Sequence, residues 1–222
     1  MSRSLIVAID GPSASGKTTL GRMLARHLRL PLVDTGLMYR AVTVLAREGG
    51  IDPGDEDALG RIAATTPIEV NTTTADGRHW EVRAAGTDLT GKVFDPQLAP
   101  VLTRVSQAGP VRRALVDRQR TYGAAGVVMV GRDIGTVVFP EADLKLFITA
   151  SDAERRRRRA RQRSEVDQGL MRGEISDRDA ADAGRSLSPL RVAPDAYTID
   201  TDDRSPDQVF EEVLRLIPAS RG

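Results

Sequence analysis

Residues 11–18 read Gly11-Pro12-Ser13-Ala14-Ser15-Gly16-Lys17-Thr18, the spacing G-x-x-x-x-G-K-S/T. Residues of these types can hold the phosphates of a nucleoside triphosphate. The glycines let the backbone wrap closely around phosphate oxygens, Lys17 can reach the β/γ-phosphates, and the Thr18 hydroxyl can sit on Mg²⁺. Other polar clusters are suited to a second anion: Asp34-Thr35-Gly36-Leu37-Met38-Tyr39-Arg40, and Gly131-Arg132-Asp133-Ile134-Gly135-Thr136. Arg178, Asp182 and Arg185 follow at i, i+4 and i+7, one face if helical. Phosphoryl transfer between two nucleotides needs such a set, because phosphate repulsion must be offset by Mg²⁺, Lys17 and bidentate arginines. The transition state is loose, so positioning and charge stabilisation dominate. An acceptor that is already a phosphate oxygen needs no strong general base, and the chain offers no obvious histidine-based dyad.

The elements around these clusters read as alternating strands and helices. Short apolar runs at Leu5–Ile9, Leu32–Val33, Val127–Val130, Leu144–Ile148 and Ala196–Ile199 predict buried parallel strands. Helical spacing covers Gly16–Arg29 through Leu20, Met23, Leu24 and Leu28, and then Tyr39–Arg47. A third helix spans Leu98–Tyr122, with Gly109-Pro110 as a break or kink, and a charged one spans Asp152–Arg163. Ser205-Pro206-Asp207-Gln208 is a capping box that starts a final helix. This alternation predicts a parallel sheet covered on both faces, with right-handed crossovers. The triphosphate loop then sits between the first strand and first helix, where free N–H groups and the dipole favour an anion. The clusters at 34–40 and 131–136 share its sheet edge, where open parallel sheets bind ligands. Ile68–Thr72, His79–Ala84 and Thr87–Leu89 break the alternation and predict an antiparallel insertion over roughly 52–95.

Composition narrows the class. The chain has 222 residues, 40% of them hydrophobic, enough for one full core and a small insertion. No apolar run is long enough to span a bilayer, and the short run before Asp10 does not read as a signal sequence. Without cysteine there are no disulfides or thiolate metal sites, and His27 and His79 cannot alone make a histidine-rich one. A soluble cytoplasmic protein is expected. The net charge of +1 gives no general attraction to nucleic acid. Of 32 basic residues only Lys17, Lys92 and Lys145 are lysine, so a single arginine needs support from its position.

The segments IDGPSASGKTT (9–19), DTGLMYRA (34–41), PVRRALVDRQR (110–120), GRDIGTVVFPEADLKLF (131–147), RDAADAGR (178–185), SPL (188–190) and DAYTIDT (195–201) together resemble bacterial cytidylate kinases, from about Leu5 to Ile217. The resemblance implies an α/β, P-loop NTPase-type three-layer fold with a five-stranded parallel sheet, a small antiparallel insertion and a helical lid. It implies a kinase core at 1–51 and 96–222, a lid at about 152–175, and 52–95 as the inserted monophosphate-binding hairpin subdomain. The implied reaction is in-line transfer of the ATP γ-phosphoryl group to CMP and dCMP with Mg²⁺. The implied ATP site is Gly11, Pro12, Ser13, Ala14, Ser15, Gly16, Lys17, Thr18, Thr19 and Arg155, with Thr18 on the metal. Thr35, Tyr39, Arg40 and Arg132 lie by resemblance along the acceptor, with Arg40 and Arg132 near its phosphate. Thr103, Arg112, Asp133 and Arg185 match positions that contact the pyrimidine, and Arg178 and Asp182 positions that contact the sugar. Lys17, Arg132 and Arg159 are the implied catalytic set. The expected partners are these nucleotides alone, with no nucleic acid, no membrane and a monomeric chain. Val130 departs from the family, standing where relatives often carry an acid.

Cytosine presents an amino donor beside ring and carbonyl acceptors. Asp133 can accept from the amino group and Arg112 can donate to the acceptors, whereas uracil would mispair both. The run Arg155–Arg159 has three readings: a nucleic-acid contact, a solvated helix face, or a lid whose arginines close on ATP. No aromatic residue interleaves the run, which disfavours the first. A kinase for UMP or shikimate remains an alternative at this point. So does a nucleotide-switched binding module, although the guanine-reading N-K-x-D tetrapeptide is absent.

Overall fold

The computed structural model describes residues 4–72, 80–166 and 190–218. Five parallel strands form the central sheet: β1 (Ile6–Asp10), β2 (Leu32–Asp34), β6 (Val127–Val130), β7 (Leu144–Thr149) and β8 (Tyr197–Asp200). Their order is β2-β6-β1-β7-β8, with β1 at the centre. Every residue of β1 and β6 is buried, as expected for strands covered on both faces. Register aligns Ile9 with Val130 and Asp34 with Val130, so β1, β2 and β6 end at one level. The residues that follow those ends are the polar clusters.

Helix α1 (Lys17–Leu28) leaves β1 through the triphosphate loop and buries Leu20 and Leu24. It packs tightly on β6: a Cβ on Gly21 would lie 2.8 Å from Val130 Cγ2. Helix α2 (Thr35–Glu48) starts directly after β2, earlier than its apolar spacing predicts, because the Asp34 side chain caps it by accepting from the Gly36 N–H at 3.1 Å. Helices α4 (Ala99–Gln107) and α5 (Gly109–Thr121) are separate; the extended backbone of Ala108 makes the expected break complete. Helix α6 (Asp152–Val166) carries the arginine run, and α7 (Pro206–Leu214) opens on the expected capping box of Ser205 and Gln208. Among the described residues no helix is long and apolar enough to cross a membrane.

The antiparallel sheet is β3 (Ile68–Thr72), β4 (Trp80–Ala84) and β5 (Thr87–Asp88), in that order. Ile68, Val70, Trp80, Val82 and Ala84 turn inward and continue the main hydrophobic cluster. Before it lies α3 (Glu56–Thr65), a helix within the span that the sequence reading gives to an antiparallel insertion. Asp55 caps it through the Ala58 N–H at 2.8 Å, and Arg118 of α5 meets the carbonyls of Ala63 and Thr66 at its far end. His79 and residues 167–189, which include part of the expected lid, lie outside the described residues.

Candidate active site

The triphosphate loop is built on two glycines with positive φ. Gly11 has φ 143°, and a Cβ there would lie 2.0 Å from the Ile148 carbonyl oxygen, so no other residue fits. Gly16, with φ 101°, turns the chain into α1 and leaves the first-turn N–H groups facing the loop. Lys17 folds back over the loop and donates to the Pro12 carbonyl at 2.5 Å. Thr18 donates to Asp34 Oδ2 at 3.2 Å, which sets a hydroxyl and a carboxylate side by side at adjoining strand ends. Thr19 lines a cleft of about 560 Å³ with Gly16, Arg157, Arg161, Asp203 and Pro206, between α1, α6 and the start of α7.

On the other side of the loop, Arg132 donates to the Ser13 hydroxyl at 2.5 Å, and Arg155 of α6 approaches the Ser13 carbonyl at 3.4 Å. One loop residue thus joins two of the expected arginines. Arg112 and Asp133 form an ion pair with their side chains 7% and 11% exposed. Arg112 also donates to the Ser106 carbonyl at 3.2 Å and lies 5.8 Å from the centre of the Tyr39 ring. The structure therefore brings together Tyr39, Arg112 and Asp133, three expected acceptor residues from α2, α5 and the end of β6. Thr103 is one step removed. Its hydroxyl donates to Ala99 within α4, and its carbonyl accepts from the hydroxyl of Ser106.

Thr35 is buried and donates to the Val130 carbonyl at 3.1 Å. Val130 itself is buried, so this position contributes a backbone oxygen and apolar packing. Arg40 is buried and donates to the Val93 carbonyl at 2.8 Å. Burial lowers its pKa from the ordinary arginine value, and the Asp34 charge works against that shift. Arg155, Arg158 and Arg159 lie on the half-buried face of α6, as helical spacing predicts. Arg158 is anchored on three sides: Glu154 takes its Nε at 2.8 Å, and the Thr201 hydroxyl and carbonyl take its other nitrogens. Thr201 in turn lies 3.0 Å from the Ser15 carbonyl. Arg178, Asp182 and Arg185 lie outside the described residues.

Asp10, Ser106 and Thr201 belong to this site and were given no role by sequence, which placed Asp34 only within a polar cluster and Arg158 only within the arginine run. For both aspartates the available signal is an acid at the end of a buried strand. Asp10 is 4% exposed and accepts from the Ile134 and Gly135 N–H groups, each at 2.8 Å. Burial pushes its pKa up from 3.8 to about 6, outweighing the two hydrogen bonds. The folded chain thus holds this proton more tightly than the unfolded chain. The resulting stability is fully present below the unfolded value of 3.8 and is lost as pH rises through about 6. The loss is about 3 kcal/mol by linkage. Asp10→Asn does not titrate, so its stability relative to the parent should rise by about that amount between about pH 4 and about pH 7. Urea unfolding of both proteins at the two pH values measures it; a constant difference would refute the shift.

A family model described as Cytidylate kinase matches residues 7–219. The chain is 44% identical over 217 residues to a cytidylate kinase of Herpetosiphon aurantiacus, covering 95% of this chain and 93% of that protein. It is 41% identical over 222 residues to a cytidylate kinase of Syntrophotalea carbinolica, covering 98% and 93%. It is 40% identical over 219 residues to a bifunctional pantoate ligase/cytidylate kinase of a Synechococcus species, covering 96% of this chain and 40% of that longer protein.

Proposed function

The chain belongs to the cytidylate kinase family, and on that premise we propose that it transfers the γ-phosphoryl group of ATP to CMP and dCMP, with Mg²⁺, by direct in-line displacement. The observation that carries this reading is the buried Arg112–Asp133 pair beneath Tyr39, set one loop away from the Gly11–Thr18 cradle and joined to it through Arg132 and Ser13. A carboxylate and a guanidinium side by side offer cytosine one acceptor and a fork of donors.

In this reading Lys17 leaves the Pro12 carbonyl and takes up donor phosphate oxygens. Arg132, already beside Ser13, meets both the acceptor phosphate and the transferring group. Arg40 faces the acceptor phosphate from α2, and Arg155 and Arg159 close on the donor from α6. The donor's base occupies the cleft beside Thr19. The hard oxygens of Thr18 and Asp34 suit Mg²⁺, which in kinases is held by one or two carboxylates together with phosphates and water. When bound, Mg²⁺ offsets phosphate charge and keeps the donor oxygens aligned. The side chains do the rest by position and charge, with no general base. Residues 52–95 act as the acceptor-side subdomain and the α6 region as the lid.

Initial rates with ATP, Mg²⁺ and each of CMP, dCMP, UMP and AMP test the reading. CMP and dCMP should be phosphorylated at least about 100-fold more efficiently than UMP, since a site built on buried hydrogen bonds strongly rejects the mispaired base. ADP formation that no monophosphate stimulates would refute it.

A further inference from the structure

The donor loop and the loop carrying Arg132 and Asp133 are tied by a carboxylate that belongs to neither. Asp10 ends β1, one residue before Gly11. Its two oxygens take the consecutive N–H groups of Ile134 and Gly135, which directly follow Arg132 and Asp133. Those amides open a single turn with i+5 bonding, in which the N–H groups of Val138 and Phe139 reach back to the Asp133 and Ile134 carbonyls. The chain therefore changes direction where Asp10 grips it. On the near side Gly131 is held by the Ile9 carbonyl at 2.9 Å. The span from Gly131 to Gly135 is thus fixed at both ends by consecutive residues of β1, and Arg132 and Asp133 project from between the clamps.

We infer that Asp10 is a positioning residue for the reaction: its carboxylate sets the loop bearing Arg132 and Asp133 against the phosphate loop, and so governs both base selectivity and phosphate alignment. The inference rests on the proposed CMP kinase reading. A carboxylate is acceptor-only and can serve two adjacent N–H groups; asparagine has one acceptor oxygen and would turn its own N–H₂ toward the other. A loop released by about 1 Å is enough to cost about 100-fold in rate. The charges acting on Asp10 are Lys17 from α1 and Asp133 from the clamped loop, while its Oδ2 and the methylenes of Lys145 from β7 both border Gly135. The Lys145 ammonium is directed instead to Asp195 and the Pro140 carbonyl. The fold therefore retains a buried carboxylate whose ionised form opposes stability, as expected where position and not packing is served.

The test measures kcat/KM for CMP and for UMP, with saturating ATP, in the parent, Asp10→Asn and Gly135→Ala. ATP affinity is measured by equilibrium titration. Any loss of folded enzyme cancels in the CMP/UMP ratio. In Asp10→Asn that ratio should fall at least about tenfold and kcat for CMP about 100-fold, with ATP affinity within about threefold of the parent. Equal losses on both acceptors, with the ratio unchanged, would overturn the inference. Gly135→Ala crowds the same clamp while leaving Asp10 in place, because an added Cβ would lie a tight 3.2 Å from Lys145 Cδ and in van der Waals contact, at 3.4 Å, with Asp10 Oδ2. It should lower the ratio in the same direction and decides the matter if Asp10→Asn does not fold; a parental ratio there would then overturn the inference. A parent that does not phosphorylate CMP would instead refute the function itself, a result separate from a parental ratio in the variants.

Discussion

Replacing Lys17 with alanine should lower turnover about a thousandfold while CMP affinity stays close to the parent value. The ammonium sits over the donor loop, on the Pro12 carbonyl, while Tyr39, Arg112 and Asp133 are gathered on the acceptor side. In the proposed reaction its work is confined to the donor phosphates, where charge that develops on the leaving oxygen during transfer needs a fixed cation. Removing one preorganised cation from a site that acts by position and charge leaves little to replace it. Single-turnover rates with ATP, together with CMP titration, separate the two effects. A variant that turned over normally but bound CMP weakly would place Lys17 on the wrong substrate.

Asp133→Ala should have two separable consequences. Its selectivity for CMP over UMP should fall about 100-fold, the scale of one buried hydrogen-bonding partner lost from base readout. Its stability should fall by about 3 kcal/mol, because the Arg112 guanidinium would stay buried without its counter-charge. The Ser106 carbonyl and the Tyr39 ring would remain beside Arg112, but neither carries a formal charge. Acceptor rates and urea unfolding measure the two separately. Asp133→Asn, which keeps the shape, should lose selectivity while recovering part of the stability. Undiminished selectivity in both variants would show that Asp133 does not read the base.

What the sequence made legible was what lies close together along it. The donor loop reads directly because its glycines, lysine and threonine are contiguous and flanked by the right strand and helix. The five parallel strands are visible as unalternating apolar runs, displaced by a residue or so where polar ends such as Asp34 and Asp200 still pair. Helix α3 was passed over because its inward residues are mostly small, Ala58, Leu59, Gly60 and Ala63, and give little periodic signal. Its reason is tertiary: Gly60 lies against Pro110 at the start of α5, where a Cβ would come within 2.4 Å of the ring. Several ties that align the site are long-range. Ser13 meets Arg132, Asp10 meets Ile134, Arg40 meets Val93 and Ser15 meets Thr201. No local pattern encodes such pairs, so family resemblance named these arginines without the contacts that hold them in the fold.

The inserted hairpin contains Trp80, the chain's single tryptophan. Its indole is buried in β4, and the guanidinium carbon of Arg22, on the helix that begins at the donor loop, lies 5.9 Å from the ring centroid. Intrinsic tryptophan emission therefore comes from one place, the contact between the hairpin and that helix. The protein carries its own unlabelled optical probe of whether those two parts move against each other as nucleotides arrive.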